Sequence, residues 1–153
     1  MSKYKPYIIS LSVTLAVGIL GGVVTYLGMD EFSTLTQPPL SPPGFLFPVV
    51  WTILYVIMAI GAARVYIKGK RKLSDGLIVY AVQLFFNFFW SVFFFGFGLY
   101  LFSFIWLVAL WLLVLLMIVL FYRTDKLSAY IQIPYLLWLT FAAYLNMGVF
   151  LLI

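Results

Sequence analysis

Apolar residues fall into five long runs, and charged residues sit in the gaps between them, apart from Arg64 near the end of the second run. The runs cover 6–28, 44–66, 76–95, 99–122 and 129–153. At 1.5 Å per residue, about 20 apolar residues cross the ~30 Å of bilayer hydrocarbon as a helix. Helix is the expected form, because backbone N–H and C=O groups in lipid must be satisfied within the segment. The pattern predicts an all-α integral membrane protein, a single bundle of five transmembrane helices forming one domain over 1–153. Lys3 and Lys5 before the first run give it a signal-peptide look. Its apolar stretch is longer than a cleavable core, so an uncleaved helix is expected.

Polar positions inside the runs are not scattered. Gln83, Asn87, Trp90 and Phe94 follow i, i+4, i+7, i+11 spacing and share one face of the third helix. Phe47, Trp51, Tyr55 and Met58 do so on the second, and Trp138, Ala142 and Asn146 on the fifth, with Pro134 one turn earlier. Amides turned to lipid cost several kcal/mol, so these faces should point inward. Trp51 lies roughly 10 Å below the start of its helix, and Asn87 and Trp90 lie at similar depth. The three faces are expected to converge in the outer half of the bundle, as walls of a ligand pocket or as a hydrogen-bonded seam between helices. Trp106 and Trp111 on the fourth helix are expected at the headgroup belt or facing lipid.

Over this region lies the longest connection, 29–43, followed by "GFLFPVVW". Pro38, Pro39, Pro42 and Pro43 fix φ and remove donors, which makes it stiff. Pro42, Pro43 and Gly44 either form a preformed lid, which needs little ordering when ligand enters, or simply separate two helices. Gly18 and Gly22 make a GxxxG pair, and Ala59 and Ala63 a similar one. Both suit packing within the chain or a homodimer seam.

Composition removes several function classes. The 153 residues are 66% hydrophobic, 21% aromatic and 8% charged, which excludes an ordinary soluble domain. The net charge of +5 is explained by topology rather than nucleic acid. All nine Lys and Arg fall before the first helix, around the second connection or in the fourth. The positive-inside rule then puts the N-terminus inside and the C-terminus outside. There is no Cys and no His, hence no Ser-His or Cys-His nucleophile and no usual metal ligand. No metal site is expected. No Asp, Glu or Lys lies within a run, which argues against a proton-coupled transporter.

The segments "PPLSPPGFLFPVVWTILY", "QLFFNFFWSVFFF" and "PYLLWLTFAAYLN" resemble the signature stretches of the TspO/MBR family, the tryptophan-rich sensory proteins and translocator (peripheral-type benzodiazepine receptor) proteins. The resemblance spans essentially the whole chain. It implies a five-helix membrane receptor or sensor, usually a homodimer, with a pocket under the first loop. Its ligands would be porphyrins such as protoporphyrin IX and isoquinoline carboxamide-type drugs. A porphyrin or small-molecule transporter is the alternative, and light- and oxygen-dependent porphyrin breakdown has been attributed to the family. Carried onto this sequence, ligand-binding residues are Trp51, Tyr55, Asn87, Trp90, Trp138, Ala142 and Asn146. No cofactor is required, protoporphyrin being a ligand. If there is catalysis, Trp51 and Trp138 are the expected redox-active pair, since any reaction must draw on the ligand's photochemistry.

Two departures stand out. Phe45 occupies a position where many relatives have Trp. The chain also ends "LNMGVFLLI", without the Tyr and basic residue of the cholesterol-recognition stretch in animal members. Only Leu120, Tyr122 and Lys126 match that weak pattern, elsewhere in the chain. Cholesterol is therefore not an expected partner, and a bacterial member, in the cytoplasmic membrane, is.

Overall fold

The computed structural model describes residues 3–153, and the described residues form helices and connections. The elements are α1 (Lys5–Ser33), α2 (Leu46–Lys68), α3 (Asp75–Ser91) continuing into a π-helical turn (Val92–Gly96), α4 (Tyr100–Thr124), the short α5 (Lys126–Tyr130) and α6 (Ile133–Leu152). Among the described residues five spans are long and apolar enough to cross a membrane, with α5 and α6 together forming the fifth.

Local chemistry sets the boundaries. Pro6 and Pro134 sit in the first turns of α1 and α6, where a missing N–H leaves no bond unmade. Ser74 caps α3, its Oγ accepting from the Leu77 N–H at 3.4 Å. Asp125 caps α5, accepting from the Ser128 N–H at 3.3 Å.

Several boundaries differ from those expected. The first helix does not stop at 28 but runs through Ser33. No proline intervenes before Pro38, and Phe32 anchors the extra turn by packing against Phe94 and Phe95 at 5.5 and 5.3 Å between ring centroids. Asp30 and Glu31 thus belong to a helix end, and the first connection covers 34–45 instead of 29–43. The second helix begins at Leu46, two residues later than 44. The fifth run is broken at Ile131 and Gln132, between α5 and the restart before Pro134.

The core is built on α4, where Leu107, Leu110, Val114, Met117 and Phe121 form a stripe at helical spacing, each no more than 1% exposed. Trp106 and Trp111 do not serve only as a lipid-facing belt. Trp106 Nε1 donates to the Phe86 carbonyl at 2.7 Å and stacks on the Phe86 ring at 4.2 Å. Trp111 Nε1 donates to Thr140 Oγ1 at 2.9 Å. An indole N–H in hydrocarbon needs a partner, and neighbouring helices supply one.

At the end of the bundle that carries the proline connection, the π turn brings the Phe95 carbonyl against α1. A Cβ on Gly28 would stand 2.1 Å from that oxygen, so only glycine lets the two backbones meet. The proline connection crosses the bundle to α6. Pro38 is buried against Gly148, where an added Cβ would lie 2.6 Å from its ring, and Tyr144 donates to the Pro39 carbonyl at 2.6 Å.

Candidate functional site

In the half of the bundle beneath the proline connection, α1 and α2 border a cavity of about 680 Å³. One wall is aromatic: Trp51 stacks on Tyr55, one helical turn further along α2, at 5.6 Å and 28°. The opposite wall is the glycine stripe of α1, Gly18, Gly21 and Gly22. The two walls form a wedge. At Gly18 an added Cβ would be 2.6 Å from the Tyr55 ring, so the cavity is closed there, whereas at Gly22 nothing lies within 4 Å. Gly44, Phe45 and Phe47 border the cavity beneath the proline connection, and Met29 closes in from α1. No charged side chain among the described residues lines it; its polar groups come from Thr25, Tyr26, Trp51, Thr52, Tyr55 and Ser91.

Behind the aromatic wall, the three polar faces meet. Tyr55 donates to Asn87 Oδ1 at 2.5 Å, and Asn87 Nδ2 donates to the Tyr135 hydroxyl at 2.8 Å. Tyr135 in turn donates to Gln83 Oε1 at 2.7 Å, and Gln83 Nε2 reaches Met58 Sδ at 3.8 Å. Each member is fully or almost fully buried, and the chain joins α2, α3 and α6. A second pair lies nearby: Trp90 Nε1 donates to Asn146 Oδ1 at 3.0 Å, and Asn146 Nδ2 to the Tyr100 carbonyl at 2.7 Å. Such pairing follows from cost, because an unmet buried amide or hydroxyl loses about 1–3 kcal/mol.

The site residues expected from sequence therefore separate into two shells. Trp51 and Tyr55 line the cavity, as does Gly44 of the expected lid. Pro42 and Pro43 lead into Gly44 without lining it, while Pro38 and Pro39 make the contacts that seat the connection. Asn87 reaches the cavity wall only through the Tyr55 hydroxyl. Trp138 packs edge-to-face on Trp51 at 6.3 Å and 88°. Its indole Nε1 is buried and has no hydrogen-bond partner among the described residues. Trp90, Ala142 and Asn146 belong to the packed core and do not line this cavity.

Three features escaped sequence reasoning. The glycines of α1 look like any helix-packing motif until their partner is known to be an aromatic wall. Ser91 falls outside the polar stripe of α3. Tyr135, the hub of the buried network, had a usable signal, since it stands three residues before Trp138 and so on nearly the same face. Gly18 and the buried Ala59 and Ala63 pack within the chain.

Residues 10–152 match the model of the TspO/MBR family. The tryptophan-rich protein TspO of Chlorobaculum tepidum is 36% identical over 139 residues, covering 89% of this chain and 88% of that protein. Protein CrtK of Rhodobacter capsulatus is 40% identical over 120 residues, 77% of this chain and 75% of its own. The translocator protein of Sus scrofa is 31% identical over 123 residues, covering 78% and 72% respectively. With a match across nearly its whole length on a bundle of five spans, this chain belongs to the TspO/MBR family of membrane proteins.

Proposed function

We propose that the outer cavity is a receptor site for planar aromatic molecules, with protoporphyrin IX and aryl carboxamides as the ligand classes. The observation that carries this reading is the wedge between the stacked Trp51–Tyr55 wall and the glycine face of α1. A flat ring system gains apolar contact on both sides there, in space that a large side chain on this face of α1 would fill. The protein acts as a homodimeric sensor in the bacterial cytoplasmic membrane, the stiff proline connection keeping the mouth open at small ordering cost.

With neither His nor Cys in the chain, the site offers no strong axial ligand to iron. Metal-free protoporphyrin should therefore bind in preference to haem. A spectral titration of the purified protein with each pigment tests this: saturable one-to-one binding of protoporphyrin supports it, and haem binding much more tightly overturns it. Breakdown of the pigment in light is the reaction the aromatic pair suits. The macrocycle absorbs the light and dioxygen is the oxidant. Trp51 borders the cavity and Trp138 touches Trp51 edge-to-face from outside the lining, so that two easily oxidised indoles stand in series from the pigment. The chain's own part is to orient and enclose the pigment.

A further inference from the structure

A second cavity of about 590 Å³ lies at the opposite end of the bundle, between the start of α1, the end of α2 and the start of α3. We propose that it holds one acyl chain of an anionic phospholipid from the adjacent leaflet, with the phosphate at the cavity mouth between Lys5 and Arg71. This site is independent of the outer cavity and of the reading given for it.

Three observations carry the assignment. The first is depth. From Lys5 at the mouth to Thr14 at the floor, α1 advances about 13 Å, close to half of the ~30 Å hydrocarbon thickness. The cavity is thus about one leaflet deep. Its α1 lip, Ile9 and Val13, is 52% and 54% exposed and gives sideways access for a chain already in the bilayer.

The second is the distribution of polarity. Deep inside, each hydroxyl is already engaged: Ser10 donates to the Ala59 carbonyl at 2.7 Å, and Thr14 and Tyr80 bond each other at 2.5 Å. The remaining deep surface comes from Ile9, Val13, Ala62, Ala63 and Leu77, which suits an alkyl chain. The mouth is opposite in character. Lys5 and Arg71 line it, and no acidic residue among the described residues does. A phosphate there meets two cationic side chains.

The third is the backbone that brings Arg71 to the mouth. Lys70 and Arg71 both hold positive φ, 62° and 55°, in a connection that has a glycine at 69 but none at these two positions. Two consecutive side-chain-bearing residues in the left-handed region strain the backbone, since each Cβ crowds the following carbonyl oxygen. The Arg71 N–H bond to the Tyr66 carbonyl at 2.9 Å holds the turn closed over the end of α2. The strained turn delivers a cation to the rim of an apolar groove.

The test uses the full chain in mild detergent, with phosphatidylglycerol and phosphatidylcholine of identical acyl chains added separately and bound lipid counted by native mass spectrometry. Phosphatidylglycerol should be retained roughly tenfold more strongly. The Lys5→Gln, Arg71→Gln double variant should lose that preference, and Lys5→Arg, Arg71→Lys should keep it. A photoreactive group in the acyl chain of phosphatidylglycerol should label the wild-type protein within 5–14 and 62–80, a result that needs no variant to fold. Equal retention of both lipids, labelling elsewhere, or retention of free oleate as strong as that of phosphatidylglycerol would each overturn the proposal.

Discussion

Trp51 and Trp138 differ in a way that their shared chemistry hides. Trp51 lines the cavity, whereas Trp138 packs edge-to-face with it outside the lining and has an indole N–H that is buried and without a partner among the described residues. Trp51→Phe removes about 0.5–1.5 kcal/mol of aromatic contact, so protoporphyrin binding should weaken roughly three- to tenfold. Trp138→Phe should leave binding nearly unchanged. If the pair has a redox role, both variants bind pigment yet consume it more slowly in light; unchanged consumption by the double variant would reduce the two indoles to walls. Asn87 makes a different kind of contribution. Asn87→Ala strands the buried hydroxyl of Tyr55 as a donor and removes a donor to Tyr135, and should lower stability by about 2–3 kcal/mol. Thermal unfolding in detergent measures that loss, and a midpoint within error of wild type would remove the network's structural role.

At the scale of elements, the site is a relation between α1 and α2 more than a set of residues. The same Gly-x-x-x-Gly motif does two things, closing the wedge at Gly18 and leaving it open at Gly22. Gly18→Ala pushes a methyl into the Tyr55 ring and should cost about 1–3 kcal/mol of stability. Gly22→Leu starts from a Cβ with no atom within 4 Å and should leave stability nearly unchanged while filling the wedge, reducing protoporphyrin affinity by at least about tenfold. Thermal unfolding and ligand titration on the two variants read these opposite signatures. Both variants losing only stability would mean the glycines serve packing alone. The π turn at Val92–Gly96 is a second case of geometry set between elements, its Phe95 carbonyl fitting only a glycine on α1.

For the whole molecule, five spans put the termini on opposite sides, with the 68–72 connection on the N-terminal side. Reporter tags at each end should give opposite readings, the N-terminal one cytoplasmic by the positive-inside rule. Both tags reporting one side would break the span count. The cation-bearing end is also tied together by Arg64 Nε donating to Asp125 Oδ2 at 2.8 Å, which links α2 to the junction of α4 and α5. Burial alone would raise the Asp125 carboxyl, but hydrogen bonds from Arg64 and Ser128 and the Arg64 charge hold it below its ordinary value of 3.8. A carboxyl lowered in the folded state stabilises above its unfolded pKa, and that stability drains as pH falls through the folded one. Wild type should therefore lose stability below about pH 4, and Asp125→Asn, already weaker by about 1–2 kcal/mol, should lose less. Parallel acid profiles for the two proteins would remove the ion pair from the account.

Spans, their approximate ends and the inward direction of Asn87, Gln83, Trp90 and Asn146 are legible in the sequence, because lipid penalises unpaired polar groups residue by residue and leaves helix as the solution. The cationic end is legible for the same reason, since charges cannot sit within the spans. The location of the cavity is not. The sequence faces of α2, α3 and α6 point to a central pocket, yet their amides and hydroxyls satisfy one another across the interior, and the open space falls between α1 and α2. Which polar groups pair depends on distances between helices, and no periodicity within one helix contains those distances. The same holds for the seat of the proline connection: its stiffness is written in Pro38, Pro39, Pro42 and Pro43, but the contact that fixes it, Pro38 on Gly148, joins residues 110 positions apart and exists only in the folded bundle.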